Sequence, residues 1–142
     1  MSKGDTFEND WLKLIFQATA IANIADNAAS GALTDLYVSS HTADPGEAGT
    51  QTTSQSAYGS YARVAVARSA GGWTVTGSSV SPVANIDFPA CTSLTETITH
   101  GMIGTVISAA GKQLYRGTVT PNIAVSTGVT PRFTTASTVT ED

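Results

Sequence analysis

The feature that most constrains the fold is a change of hydrophobic period near residue 34. Before it, apolar residues recur every three or four positions, the spacing of one helix face: Phe7, Trp11, Leu14, Ile15, Ala18 and Ala22. Asp5 and Glu8 resemble a capping box, so we predict a helix over about residues 6–25. Leu12, Phe16 and Ile24 form a second apolar patch beside it. Either the helix lies between two layers of its own domain, or this side meets another subunit.

After residue 34 the chain consists of short segments rich in Val, Ile, Thr and aromatic residues, bounded by Gly, Pro, Asn and Ser. This pattern predicts strands. They cover residues 35–41, 62–68, 72–76, 79–83, 85–88, 96–107, 112–119, 122–126 and 130–135. We therefore predict a mainly β single domain over residues 1–142. It would be an antiparallel β-sandwich or barrel-like domain with one N-terminal α-helix, strands within 35–135 and an exposed tail over 136–142.

The composition narrows the range of partners. Only 13% of residues are charged, about half the ~25% of an ordinary domain. Hydroxyl side chains take the place of charged ones, since the chain has 22 Thr and 15 Ser. A net charge of −4 with seven Lys and Arg disfavours direct nucleic-acid binding. We see no secretion signal or membrane span, and expect a protein made in the cytoplasm whose single cysteine, Cys91, is buried and reduced.

The stretch "HTADPGEAG" places His41, Asp44 and Glu47 close together. These side chains are typical of acid–base catalysis or of a hard-metal site. However, Asp-Pro-Gly is also ordinary turn chemistry, in which Pro presets φ, Gly takes a left-handed conformation and Asp bonds its own backbone. We favour a structural turn over a metal or catalytic site and over an interface loop. We predict no catalytic, cofactor-binding or metal-ligating residues.

Other polar and aromatic residues admit two interpretations each. For His100, a hydrogen-bonding role is favoured over a catalytic one because no carboxylate is close in sequence. Arg63 and Arg68 suit a protein interface, although exposed strand arginine is commoner. Four aromatic residues, which are Tyr58, Tyr61, Trp73 and Tyr115, could stack on a sugar ring, but a core position is favoured.

Five stretches carry a family resemblance that covers nearly the whole chain. They are "GDTFENDWLKLIFQATAIANIADNAA", "LYVSSHTADPGEAGTQTTS", "YARVAVARSAGGWTV", "SPVANIDFPA" and "GTVTPNIAVSTGVTPRFTTASTVTED". The chain resembles small virion proteins of tailed bacteriophages, labelled capsid decoration (cement) or tail-fibre-like proteins. The resemblance implies a non-enzymatic structural protein and supports the structural interpretation of residues 41–49.

The leading functional hypothesis is a decoration protein that binds the outside of the capsid and stabilises it. The alternative is a tail or tail-fibre component that attaches to the host surface. An enzyme that uses His41 with Asp44 or Glu47 ranks third. The expected partners are the major capsid protein and copies of the chain itself, as a trimer or dimer on the virion, without nucleic acid, membrane or cofactor. The predicted interface residues are Trp11, Leu12, Phe16, His41, Asp44, Glu47, Arg63 and Arg68.

Overall fold

A computed structural model describes residues 5–21 and 33–141. The elements are α1 (Asp5–Gln17), β1 (Asp35–His41), β2 (Val64–Ala67), β3 (Trp73–Thr76), β4 (Ser79–Pro82), β5 (Ile86–Asp87), β6 (Glu96–Gly104), β7 (Gln113–Val125), β8 (Arg132–Phe133) and β9 (Val139–Thr140). The predicted class, mainly β with antiparallel sheets and one N-terminal helix, is confirmed. Within the described residues, no helix is long and apolar enough to cross a bilayer.

The chain divides into two compact units. The helix unit contains Met1–Asp35, Ala67–Asn85 and Phe133–Asp142. The sheet unit contains Leu36–Val66 and Ile86–Arg132. The single domain expected over residues 1–142 remains a prediction.

In the helix unit, α1 packs on β3 and β4 of the sheet β3-β4-β9. Leu12 and Phe16 are fully buried, and the Phe16 ring meets Trp73 edge-on, with ring centroids 4.8 Å apart. Edge-to-face aromatic pairs of this kind contribute roughly 0.5–1.5 kcal/mol beyond their burial. The Leu12 and Phe16 side of α1 therefore packs inside its own unit and is not left free for another subunit.

The helix ends at Gln17, earlier than predicted, and 18–20 are not helical; the predicted positions 22–25 lie outside the described residues. Ala18 adopts a left-handed conformation with φ 54°, which ends the helical path. Arg68 then bonds the carbonyls that the helix leaves unpaired: its Nε donates to Ile15 O and its Nη2 to Leu14 O. A cation at this end also suits the helix dipole. The sequence prediction was too long because the capping group lies more than 50 positions away.

In the sheet unit, the strand order is β2-β1-β6-β7, and β6 pairs antiparallel with both β1 and β7. The core contains Leu36, Val38, Tyr58, Ile98, Met102 and Val125. Cys91 is a buried free thiol, as predicted.

Two predictions about the strands need correction. The segments 112–119 and 122–126 are one strand, β7, which continues through Pro121 with a register shift opposite Ile98–His100. Pro121 is tolerated because β7 is an edge strand, where a missing N–H breaks no ladder bond. The strands also extend beyond the predicted range 35–135, because β9 lies in the tail, where Val139 pairs with Val80 of β4 and positions 136–138 and 140 are exposed.

Candidate functional site

The Asp44–Gly49 segment is a turn that is fastened to β7. The Asp44 Oδ1 atom accepts the Gly46 N–H at 2.9 Å, and Gly46 has φ 72°. The Arg116 Nε–H donates to the same carboxylate at 2.8 Å. The Gly46 N–H, and after it Arg116, lower the pKa of Asp44. The turn chemistry predicted from the sequence is confirmed.

His41 is buried at the end of β1 and bonds on both sides of its ring. Its Nδ1 lies 2.8 Å from Thr53 O, and its Nε2 lies 2.8 Å from the Ser39 hydroxyl. Since a carbonyl only accepts, Nδ1 carries a proton, and in the neutral ring Nε2 accepts from the Ser39 hydroxyl. Burial, above all, lowers the pKa of His41, and the positive charge of Arg63 adds to this. His41 therefore anchors the chain around Thr53 to β1.

The sequence motif does not assemble into a reactive cluster. His41 bonds Ser39 and Thr53, Asp44 bonds Gly46 and Arg116, and Glu47 is exposed. Within the part of the chain that the structure describes, no group of three or more His, Cys, Asp or Glu residues could hold a metal ion. The geometry therefore lends no support to an enzyme that uses His41 with Asp44 or Glu47.

A second buried polar residue, Gln51, hydrogen-bonds the loop between β1 and β2 to the turn after β6. Its Oε1 accepts the N–H groups of Thr105 at 2.9 Å and Val106 at 3.0 Å, and its Nε2 donates to Val106 O at 3.2 Å. The side chain fits because its neighbours are glycines. A Cβ atom on Gly104 would lie 2.1 Å from Gln51 Cδ, and one on Gly111 would lie 2.2 Å from Gln51 Oε1.

Arg63 is buried, with 5% of its surface exposed, and binds the same turn. Its Nη1 donates to Val106 O and its Nη2 to Ala109 O and Gln55 Oε1, each at 2.9 Å. Burial lowers the pKa of Arg63. Three N–H groups of this buried guanidinium are therefore hydrogen-bonded, although no carboxylate pairs with it among the described residues. Arg63 thus differs from the exposed strand arginine that is commoner.

The other predicted interface residues divide into buried and exposed groups. Leu12 and Phe16 are buried and Arg68 is half-buried, whereas Trp11 is 38% exposed. That any of the eight residues contacts another protein stays a prediction. Of these eight side chains, Trp11, Asp44 and Glu47 are exposed.

The four aromatic residues are buried or half-buried, and His100 makes a hydrogen bond. Tyr58 and Trp73 are buried, and Tyr61 and Tyr115 are half-buried. The His100 Nδ1 lies 2.9 Å from the Thr99 hydroxyl, which confirms a hydrogen-bonding role. The loop-locking residue that the sequence prediction missed is Gln51. Its only local signal was a position in a long polar loop that has several Thr and Ser residues around it.

These features describe a mainly β chain in which the buried polar residues His41, Gln51 and Arg63 hydrogen-bond the backbone of loops. The model of the family described as podophage GP4 fiber I protein gp80 matches residues 4–141. The chain therefore belongs to this family of phage fibre proteins, and is a virion component. No curated protein sequence matches it.

Proposed function

We propose that the protein is a structural subunit of the phage tail fibre that contributes to attachment to the host surface. The observation that carries the proposal is the family match, which spans residues 4–141 and so covers both units. The internal chemistry agrees with an architectural role, since the buried titratable side chains His41 and Arg63 bind backbone carbonyls. The proposed partners are copies of the chain itself and neighbouring virion proteins.

The surface that best fits a contact between copies is an aromatic pair on α1. Phe7 and Trp11 are four residues apart, so they share one helix face, and they are 37% and 38% exposed. Aromatic residues are enriched at protein interfaces, where they bury large areas at small entropic cost. Replacing Trp11 with Ser should weaken self-association, measured by analytical ultracentrifugation. Val83→Ser is the control, because Val83 is an exposed apolar residue of the same unit, at 47%. A wild-type chain that stays monomeric at all concentrations would contradict the contact.

The location is tested on intact virions. Gold-labelled antibodies against the protein should mark the tail fibres in electron micrographs, and a cryo-EM map should place the two units there. A matched serum against the major capsid protein marks the heads as a control. Label confined to the heads would overturn the fibre assignment.

A capsid decoration protein is the second candidate. It is favoured by the poorly charged, hydroxyl-rich exterior of β7, where Thr118, Thr120 and Asn122 are exposed. Such side chains cost less to bury in an interface than Lys or Glu. A decoration protein that binds only the expanded shell would stabilise that shell by mass action across many sites. Heads that lack the protein should then lose heat resistance, whereas a fibre subunit leaves head stability unchanged.

A further inference from the structure

An open cavity of about 320 Å³ lies in the sheet unit, beside the turn that Arg63 holds. Its lining includes Gln55, Tyr61, Arg63, Ile107 and Ser108. This volume falls at the lower end of the range of small-ligand sites and accommodates a single sugar ring. Tyr61 is half-buried and its ring already packs on Phe88 and Tyr58, so only the remainder of this ring borders the cavity, whereas Ile107 is 52% exposed.

The charge at this cavity is not balanced by the protein. Three of the five N–H groups of Arg63 bond the oxygens of Val106, Ala109 and Gln55. Its Nε is buried and has no partner among the described residues. Within the described part of the chain, no carboxylate lies within 4.0 Å of this guanidinium, whereas Arg116 and Arg132 pair with Asp44 and Asp87.

This imbalance indicates which ligand the cavity would take. Neutral carbonyls and an amide satisfy hydrogen bonds of the guanidinium but leave its full positive charge, and because only 5% of the Arg63 surface is exposed, solvent screens that charge weakly. A bound anion would gain from the charge. The Ser108 hydroxyl adds a polar group of the type that hydrogen-bonds sugar hydroxyls, while Tyr61 suits the apolar face of a ring.

We propose that this cavity binds a carboxylated saccharide residue, of the uronic-acid class, with its carboxylate toward Arg63 and its ring against Tyr61 and Ile107. A saccharide ligand would serve host-surface attachment, so the biological meaning of the site rests on the proposed function. The chemistry of the cavity can be tested without it.

The test uses the full-length protein with three soluble probes. Glucuronate supplies both carboxylate and ring, glucose supplies the ring alone, and acetate supplies the carboxylate alone. In ¹H–¹⁵N spectra, glucuronate should shift the amide signals of residues 107–109 and bind at least about tenfold more tightly than either control. Equal binding of glucuronate and glucose, equal binding of glucuronate and acetate, or no binding of glucuronate would each overturn the proposal.

Two variants of an exposed wall residue separate charge from shape. Ile107→Asp places a carboxylate at the cavity and should weaken glucuronate binding by about tenfold or more, because like charges repel. Ile107→Asn has nearly the shape of Ile107→Asp without its charge and loses the same apolar contact with the ring, so it should bind glucuronate about tenfold more tightly than Ile107→Asp does. Equal losses in the two variants would contradict an anion site. Ile107 is 52% exposed, and circular dichroism checks that both variants fold.

Failure of this inference and failure of the proposed function give different results. If glucuronate does not bind while the antibodies mark the fibres, the saccharide site is wrong and the fibre assignment stands. If glucuronate binds while the label marks only the heads, the site stands and the fibre assignment is wrong.

Discussion

A double-mutant cycle between Gly104 and Gln51 tests whether the hydrogen bonds of the Gln51 side chain depend on the absence of a Cβ atom at Gly104. The Gly104→Ala substitution adds a Cβ atom that would lie 2.1 Å from Gln51 Cδ and 2.5 Å from Gln51 Cγ. Contacts this short force something to move. Gln51 is 0% exposed and pinned by three side-chain hydrogen bonds, so it can move only by breaking them.

The cost of Gly104→Ala follows from those bonds. Each hydrogen bond contributes about 1 kcal/mol net, so losing three costs about 3 kcal/mol. Overpacking adds roughly 1–3 kcal/mol. Gln51→Ala alone should cost about 3 kcal/mol, because two N–H donors lose their acceptor and a cavity remains. That cavity accepts the new Cβ, so we expect the double variant to cost about 3 kcal/mol, as Gln51→Ala alone does, instead of the roughly 7–9 kcal/mol that additive costs would give.

Urea unfolding followed by circular dichroism measures the free energies of unfolding. Both tryptophans, Trp11 and Trp73, lie in the helix unit, so their fluorescence tells whether the two units unfold together. Gly117→Ala is the matched control, because a Cβ there meets no atom within 4 Å, and it should be neutral within about 0.5 kcal/mol.

Gly111→Ala supplies a sharper comparison. Its Cβ would lie 2.2 Å from Gln51 Oε1 but also 2.3 Å from Val106 Cγ2. Removing the Gln51 side chain should therefore relieve only part of its cost. Additive free energies in the Gly104–Gln51 cycle, or a fully tolerated Gly104→Ala, would refute the packing argument.

Three further predictions concern other parts of the fold. The pKa of His41 in the folded chain lies below the ordinary 6.5, so on acidification the unfolded chain binds a proton that the folded chain does not. The contribution of neutral His41 to the free energy of unfolding is therefore present above pH 6.5 and is lost as the pH falls below 6.5. Urea midpoints between pH 7.5 and 5 should show this loss, and a His41→Gln variant should have a flatter profile; identical profiles would count against the buried neutral ring. Arg68→Ala should cost about 1–3 kcal/mol by uncapping Leu14 and Ile15, with lower helical ellipticity at 222 nm, whereas unchanged ellipticity and stability would argue against the capping role. Gly46→Ala meets no neighbouring atom, so it should cost only the left-handed strain, about 1 kcal/mol in the same urea assay; a cost as large as that of Gly104→Ala would be inconsistent with this.

The sequence predicted an element correctly where the interactions that form it join residues a few positions apart. The residue types over 35–41 predicted β1 with the bounds that the structure shows, and the Asp-Pro-Gly sequence predicted the turn at Asp44–Gly46. Period and turn chemistry depend on neighbours a few positions apart, which the sequence displays directly. The continuation of β7 through Pro121 was missed because proline is normally a strand boundary, and only the position of β7 at the sheet edge removes the penalty.

The amino-acid sequence by itself determined the class of fold, because one helical period followed by many short alternating segments has few other solutions. Tertiary structure alone decided what the polar residues do. His41, Gln51 and Arg63 look like candidates for chemistry or contact, or like ordinary loop residues, until the fold shows which backbone groups they meet. Arg68 caps α1 from more than 50 positions away in the sequence. The Arg63 charge at the cavity stays unbalanced because the groups that the fold brings to Arg63 include neutral carbonyls that are distant in the sequence. Burial and pairing are properties of three-dimensional neighbours, and no window of the sequence contains them.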